Sequence, residues 1–299
     1  MVTGAALTVV VHPEDRSPRA PEIWKHLLRR LARVVDPACD TRPARLSIED
    51  PGAGGGVRGS RLLQREPDPA LVRALATALR GGKVVVLHVD GDTSWSRRAE
   101  SKTEQLLRER LIAAITMTLR DTINRTLRDR PREDQTSGPP TPHRIRGRPR
   151  PAAAAPPPDL AERVDALVGE DLAGLVVLVP HYAVEAWLYQ ATERAAELCR
   201  TLHEGRHVGQ FETWRRERAT LDEVDRLPDV VCLGREHNEV LAQALTNDDV
   251  RQVVAAGTSM AAAVERLRGC PRFVTGLGRT YELQPEGGPT DGPTTGYGD

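Results

Sequence analysis

The chain has few lysines, few aromatic residues and no net charge, and the last of these limits how it could bind nucleic acid. Lysine occurs only at positions 25, 83 and 102, so almost all the positive charge is arginine. Acidic and basic residues balance at a formal net charge of zero. This balance excludes the overall positive field of a protein that holds nucleic acid by bulk electrostatics, although it allows local basic patches.

Paired cysteines and long apolar runs are also missing. The four cysteines lie far apart without a Cys-x-x-Cys pair, which argues against a zinc ribbon. Isolated cysteines are typical of a reducing compartment. The first apolar run is only about seven residues long and no charged region precedes it, so it predicts a strand rather than a signal peptide. Since no run approaches the roughly 20 residues of a membrane helix, we expect a soluble, cytoplasmic protein with no membrane contact.

Short runs rich in valine and leucine predict buried strands. They are "ALTVVVH" (6–12), "KVVVLHV" (83–89) and "LVVLV" (175–179), with "ARLSIED" (44–50) as a weaker strand. Helical patterns follow the first strand and precede the second. Strands that alternate with helices predict an α/β fold with a mostly parallel, Rossmann-like sheet and helices on both faces.

A long helical pattern covers residues 102–130. Its apolar residues recur every four positions, at Leu107, Leu111, Ile115, Leu119, Ile123 and Leu127. A helix of this length would extend about 40 Å. The stripe predicts either a helix that packs along the sheet or one that projects and forms a homodimer.

Residues 131–158 interrupt the regular patterns. They contain nine prolines and a run of four alanines, which predicts a disordered insert. The insert carries four arginines that are candidates for phosphate contacts, Arg144, Arg146, Arg148 and Arg150. A solvated linker is the favoured interpretation of the segment.

Composition and periodicity together divide the chain into regions. Residues 5–130 and 159–190 predict a single α/β domain, and 283–299 predict a disordered tail. Residues 191–282 predict a helical C-terminal region, with helices over 190–204, 208–224, 236–245, 248–256 and 259–268. No residue of this helical region has a sequence pattern that assigns it a function.

Acidic residues and histidines follow three of the predicted strands. In chain order they are His12 and Glu14, then His88, Asp90 and Asp92, then His181 and Glu185. Because ligands bind beyond the carboxyl ends of parallel strands, these endings are the informative positions. Hard cations such as Mg²⁺ are held by one or two carboxylates, waters and substrate oxygens. The sequence therefore predicts a Mg²⁺ or Mn²⁺ site at this edge of the sheet.

The Asp-Gly-Asp segment is the strongest part of this prediction. Gly91 allows a tight turn, so that Asp90 and Asp92 can face the same ion. His88 shares a strand face with Asp90, because side chains alternate with a period of two, and it is expected to orient that carboxylate. The competing interpretation is a simple turn followed by a helix cap.

The segment "VPHYAVEAWLY" (179–189), taken with the Asp-x-Asp and the acidic residue after the first strand, resembles a known family. The pattern is similar to the TOPRIM domain of topoisomerases, primases and overcoming-lysogenization-defect nucleases. It resembles in particular a group of TOPRIM-like bacterial proteins of unknown function that are suspected in anti-phage defence. The resemblance covers the predicted α/β domain up to residue 190.

The resemblance implies a role for each acidic residue. Asp90 and Asp92 would bind Mg²⁺, Glu14 would be the acid/base or a further ligand, and Glu185 would complete the cluster. The family usually reads Val-Glu-Gly directly after the first strand, whereas this chain reads "VVVHPED". Alternatives to Glu14 are therefore kept open, namely His12, Asp15 and Glu22.

The function implied by the resemblance is Mg²⁺-dependent phosphodiester hydrolysis on nucleic acid. Two alternatives stay open. One is a non-catalytic interaction module that partners an ATPase, which the neutral charge and altered first motif favour. The other is a metal-dependent hydrolase of a small phosphorylated molecule. In each case Trp95 and Trp187 are expected to pack within the protein rather than to stack on bases.

Overall fold

The computed structural model describes residues 7–14, 19–40, 46–49, 63–129, 159–181, 183–217, 221–223, 235–256 and 258–282. The predicted insert, with its four arginines, and the predicted tail lie outside these ranges. Asp15, one of the alternatives to Glu14, lies outside them as well. Structural statements below refer to the described residues.

The described strands form one parallel sheet. They are Leu7–His12 (β1), Leu46–Glu49 (β2), Val84–His88 (β3) and Leu175–Leu178 (β4). Their order across the sheet is β2-β1-β3-β4, and every neighbouring pair is parallel. All four predicted strands are therefore confirmed. In the central pair, Val9 lies opposite Val84 and His12 lies opposite Leu87.

Helices make up most of the remaining described chain. They are α1 (Ala20–Val35), α2 (Pro69–Arg80), α3 (Lys102–Leu107), α4 (Ala113–Asp129), α5 (Leu160–Leu172), α6 (Val184–Gln190), α7 (Thr192–His203), α8 (Val208–Glu217), α9 (Arg235–Ala244), α10 (Asn247–Ala255), α11 (Ser259–Arg268) and α12 (Pro271–Glu282). The helices predicted after residue 190 correspond to α7–α11, whereas α12 was not predicted. Within the described ranges, none of the helices combines the length and apolarity needed to cross a membrane.

Apolar side chains cover both faces of the sheet. Val9 and Val84 point to one face, where they pack with α1 and the C-terminal helices. Val10 and Val85, the next residue along each strand, point to the other face and pack with α2, α4 and α5. Because both faces of the sheet bury apolar side chains, the strands have continuous hydrophobic sequences. The predicted α/β fold, with a parallel sheet between two helical layers, is confirmed.

The C-terminal helices share their hydrophobic core with the sheet. Trp24 of α1, Trp187 of α6, Phe211 of α8 and Phe273 of α12 belong to one buried cluster. The Trp187 side chain packs internally, as predicted, and its indole N–H donates a hydrogen bond to Ser259 Oγ at 2.6 Å. Packing of such large side chains is a major source of stability.

The long helix packs along the sheet. A π turn at Arg108–Ile112 joins α3 to α4, and the apolar stripe from Leu107 to Ile123 is at most 1% exposed. The helix contacts α2 and α5. The stripe is therefore used inside the protomer, so the predicted homodimer would have to use the outer surface of this helix, which carries Met117.

We predict that the two sides of α4 differ sharply in their contribution to stability. Ile115→Ala should lower the free energy of unfolding by about 2–5 kcal/mol, because Ile115 is fully buried. Met117→Ala, at a site 68% exposed, should change it by less than about 0.5 kcal/mol. Urea unfolding of both variants measures the difference. Equal losses that depend on protein concentration would instead place the outer surface in an oligomer interface.

Candidate active site

The register of the two central strands brings Glu14 to the Asp-Gly-Asp segment. His12 lies opposite Leu87, so β1 and β3 end within one residue of each other in the sheet. Glu14 and Asp90 each lie two residues beyond the last residue of their strand. The Asp90 backbone N–H donates a hydrogen bond to Glu14 Oε2 at 2.8 Å. Glu14 therefore reaches the predicted site although it comes later in the sequence than the TOPRIM pattern places it.

The segment 90–92, which we call the acidic loop, is fixed by the neighbouring strand. The Gly91 N–H donates to the Pro180 carbonyl at 2.9 Å, beyond the end of β4. A Cβ on Gly91 would lie 3.2 Å from His181 Cα, His181 Nδ1 and the Pro180 carbonyl oxygen. The positive φ in this loop, +54°, belongs to Asp92. Glycine is thus needed for close packing, whereas the predicted reason was a tight turn at Gly91.

His88 lies directly behind the acidic loop. It is fully buried, its ring centroid is 4.5 Å from that of Trp24, and its Nε2 is 3.1 Å from Asp90 Oδ1. The angle of this approach is not that of a hydrogen bond. Both ring nitrogens and Asp90 Oδ1 are therefore buried without a hydrogen-bond partner among the described residues. His88 therefore contacts Asp90, and its role in orienting that carboxylate stays a prediction.

The beginning of α3 supports the other side of the acidic loop. Thr103 Oγ1 donates to Asp92 Oδ2 at 3.3 Å, and Ser101 Oγ donates to the Gly91 carbonyl at 3.1 Å. Sequence reasoning missed both contacts. Their only local signal is Ser-x-x-Glu at 101–104, the signature of a helix capping box. Here the Ser101 side chain makes no cap hydrogen bond and holds the loop instead.

The carboxylates of the acidic loop and Glu14 repel one another. Burial raises the pKa of Glu14, the charges of Asp90 and Asp92 add to the rise, and the Asp90 N–H opposes it. Partial burial and the charge of Asp90 likewise raise the pKa of Asp92. Much of the Asp92 side chain nevertheless stays exposed, so solvent screening limits the rise in its pKa. No lysine or arginine in the described ranges pairs with these three residues, and the ionisable group of opposite type beside them is His88.

The donor set fits a Mg²⁺ ion that is completed by substrate and water. Within the described chain, no three His, Cys, Asp or Glu side chains form a ready-made metal cage. Mg²⁺ commonly takes only one or two protein carboxylates and keeps several waters. Asp90 and Asp92 can supply that number, with Asp90 Oδ1 buried against His88 Nε2 at 3.1 Å. Glu14 has one oxygen engaged by the Asp90 N–H.

Glu185 has a partner in the helical region. Asn238 Nδ2 donates to Glu185 Oε1 at 2.7 Å, and Tyr189 Oη donates to Asn238 Oδ1 at 3.1 Å. No sequence pattern selects Asn238, which lies in α9 among residues with the pattern of a helix surface. The contact connects Glu185 with α9, and its membership of the metal site stays a prediction.

The alternatives to Glu14 occupy different positions. His12 is 2% exposed at the end of β1. Glu22 lies in α1, where it forms an ion pair with Lys25 at 2.5 Å. Of these residues, Glu14 is the one that the structure joins to the acidic loop.

His181, which packs against Gly91, also lines a cavity of 310 Å³. The polar and aromatic residues of its wall come from four elements and are Trp95, Arg98, Glu104, His181, Ser259 and Arg266. Trp95 is only partly buried and its ring lies edge-on to His181, with 4.7 Å between centroids. The acidic loop and this cavity therefore share His181 as a common wall.

We predict that Gly91→Ala destabilises the protein by about 1–3 kcal/mol, because the added methyl group overpacks the site. The matched control is Gly169→Ala in α5, where nothing lies within 4 Å of the new Cβ. That variant should stabilise the protein by about 0.5–1 kcal/mol, since alanine favours helix. Chemical denaturation compares the two. A neutral Gly91→Ala would contradict the close packing of the acidic loop on His181 and Pro180.

We predict that Glu14→Gln raises the melting temperature at pH 7 in metal-free buffer. A raised pKa in the folded state means that ionisation of Glu14 costs stability as the pH rises through that value. Glutamine keeps an acceptor for the Asp90 N–H and removes the charge. The gain should shrink towards a pH of about 4, where the wild-type carboxyl is protonated. Glu66→Gln, at an exposed loop position, is the control and should show no such gain.

Comparisons with known proteins do not assign this site. No protein-family model, no curated protein and no solved structure matches the chain. The TOPRIM resemblance therefore depends on the residues that carry it, and the function has to be argued from the geometry around Glu14, Asp90 and Asp92.

Proposed function

We propose that the protein is a Mg²⁺- or Mn²⁺-dependent hydrolase of phosphodiester bonds in nucleic acid. One observation carries the proposal. Glu14, Asp90 and Asp92 meet at the carboxyl ends of the two central strands, and no lysine or arginine of the described chain neutralises them. A like-charge cluster in this position of a parallel sheet is typical of a site completed by a cation and a ligand. The TOPRIM resemblance implies the same chemistry.

Each residue of the site has a distinct role in this proposal. Asp90 and Asp92 hold the ion, and buried His88 restricts the orientation of Asp90. Glu14 accepts the proton of the attacking water, a role favoured by its raised pKa. A Mg²⁺ ion held by Asp90 and Asp92 would stabilise the negative charge on the phosphoryl group while water attacks and the ester P–O bond breaks, and it would lower the pKa of the attacking water.

The resemblance extends the proposal to the wider site and its context. Glu185 would complete the acidic cluster from α6. A role in bacterial anti-phage defence, together with a partner ATPase, is proposed on the same ground. These parts depend on the resemblance alone.

A small phosphorylated molecule is the second candidate substrate. The observation that favours it is the 310 Å³ cavity beside His181, which has the size of a small-ligand site. The metal chemistry would be unchanged, since only the group attached to the phosphate differs.

We predict that Mn²⁺ and Mg²⁺ bind to the wild-type protein and raise its melting temperature, and that Asp90→Asn/Asp92→Asn abolishes both effects. The two amides keep the shape of the loop and remove the charge that attracts the ion. Calorimetric titration measures binding. Cleavage of labelled single- and double-stranded DNA and RNA measures activity, which should fall by orders of magnitude in the double variant.

Asp121→Asn is the matched control, because Asp121 is an exposed carboxylate of α4 remote from the acidic loop. It should bind metal and cleave like the wild type. The proposal fails if the wild type shows no metal-dependent cleavage of any of these substrates, or if the double variant retains it.

A further inference from the structure

The cavity beside His181 has a wall of unusual composition. It lies between the 3₁₀ helix Trp95–Glu100, the beginning of α3, the end of β4 and α11. Ala262 and Ala263 of α11 leave it open, because their side chains are small. Two guanidinium groups, one carboxylate and one imidazole face a space large enough for a small polar group and its substituent.

The carboxylate in this wall is neutralised by arginines. Arg266 Nη2 contacts both Glu104 oxygens, at 3.1 and 3.3 Å, and Arg108 Nη2 contacts Oε1 at 2.8 Å. Burial alone would raise the pKa of Glu104, but these two arginines outweigh it and lower the pKa. Arg266 also donates to the Val177 carbonyl at 2.8 Å, which fixes its side chain.

Arg98 supplies positive charge that no carboxylate of the described chain neutralises. Its guanidinium lies 4.7 Å from the centroid of the Trp95 ring, and it donates to the Trp95 carbonyl at 3.2 Å. The neighbouring Arg97 differs, because it is paired with Glu100 at 2.9 Å and does not line the cavity. Among the charged residues that line the cavity, the excess of guanidinium over carboxylate groups therefore depends on Arg98.

His181 forms the part of the cavity wall that packs against the acidic loop. It is 3% exposed, lines the cavity, and its Nδ1 is buried without a hydrogen-bond partner in the described ranges. By contrast, the Ser259 hydroxyl in the same wall is satisfied, because it accepts from Trp187 and donates to Asp222 at 2.9 Å. The unpaired Nδ1 lies against Gly91, 3.2 Å from the position of a Cβ there, so His181 closes the cavity on the side of the acidic loop.

We infer that this cavity binds a phosphate group, held by Arg98 and Arg266 with His181 as a polar wall. Guanidinium groups match the oxygens of phosphate in charge and geometry. The inference rests on the proposed function for the identity of the substrate as a phosphoester. It adds the subsite that receives a phosphate near the acidic loop, whose Gly91 packs against His181 of the cavity wall.

The test measures phosphate binding by the full-length protein in EDTA, where no metal site can contribute. Inorganic phosphate is titrated by calorimetry at constant ionic strength. Wild type should bind saturably, and Arg98→Ala should weaken binding at least about tenfold, because one charge-assisted contact is lost. Arg97→Ala is the matched control and should stay within about twofold of wild type, because its partner is Glu100.

A second variant tests the space rather than the charge. Ala262→Leu fills the cavity from a partly exposed position of α11 and should also abolish phosphate binding. Circular dichroism and thermal unfolding verify that each variant is folded. The inference is overturned if folded wild type binds no phosphate, if Arg97→Ala loses as much affinity as Arg98→Ala, or if folded Ala262→Leu binds normally.

Competition distinguishes the two sources of the phosphate. Thymidine 5′-monophosphate and an oligothymidylate of about eight nucleotides are each tested for displacement of inorganic phosphate. Displacement by either compound supports the inference that the cavity binds phosphate. The stronger competitor shows whether that phosphate belongs to a mononucleotide or to a nucleic acid strand. Asp90→Asn/Asp92→Asn should still bind phosphate in EDTA. Phosphate binding without metal binding would leave this inference standing while the proposed function fails, and the reverse result would overturn only the inference.

Discussion

The contact between Gly91 and the end of β4 is the constraint on which the candidate site depends. The hydrogen bond from Gly91 to Pro180 continues the parallel ladder beyond both strands, and the missing Cβ lets His181 pack against the loop. This contact fixes the direction of Asp90 and Asp92. From there the loop meets Glu14 on one side and α3 on the other. One close approach therefore determines where the carboxylates and the cavity lie.

The site concentrates unfavourable features on a stable scaffold. Glu14 and Asp92 have raised pKa values, and Asp92 has a positive φ, which few residues other than glycine adopt. His88 is fully buried with both ring nitrogens unsatisfied among the described residues. Two apolar layers, one on each face of the sheet, offset these costs. Such local conflicts are expected where function rather than stability selects the residues.

The sequence predicted the elements well because their signals are local. Runs of valine mark β1, β3 and β4, and helical spacing marks the helices that cover them. Acidic residues at strand ends were equally visible. The contacts that could not be predicted join residues that are far apart in the sequence. The register between β1 and β3 places Glu14 beside the acidic loop. Ser101, although it stands in a capping-box pattern, donates to the Gly91 carbonyl instead. The pairing of Arg266 with Glu104 joins residues 162 positions apart, so no local pattern reveals it.

The local placement of charges explains how a chain of zero net charge can have a site for a phosphorylated substrate. A net charge of zero excludes capture of nucleic acid by a general positive field, but it says nothing about a site built from opposite charges. Among the described residues, the carboxylates of the acidic loop have no lysine or arginine partner and the Arg98 guanidinium has no carboxylate partner. Both lie on elements that meet at His181. A cation would neutralise the carboxylates of the acidic loop, and a phosphate would neutralise the Arg98 guanidinium. Because neither the carboxylates nor the guanidinium has an oppositely charged lysine, arginine or carboxylate partner in the described ranges, the arrangement favours a ligand that brings both a metal and a phosphate.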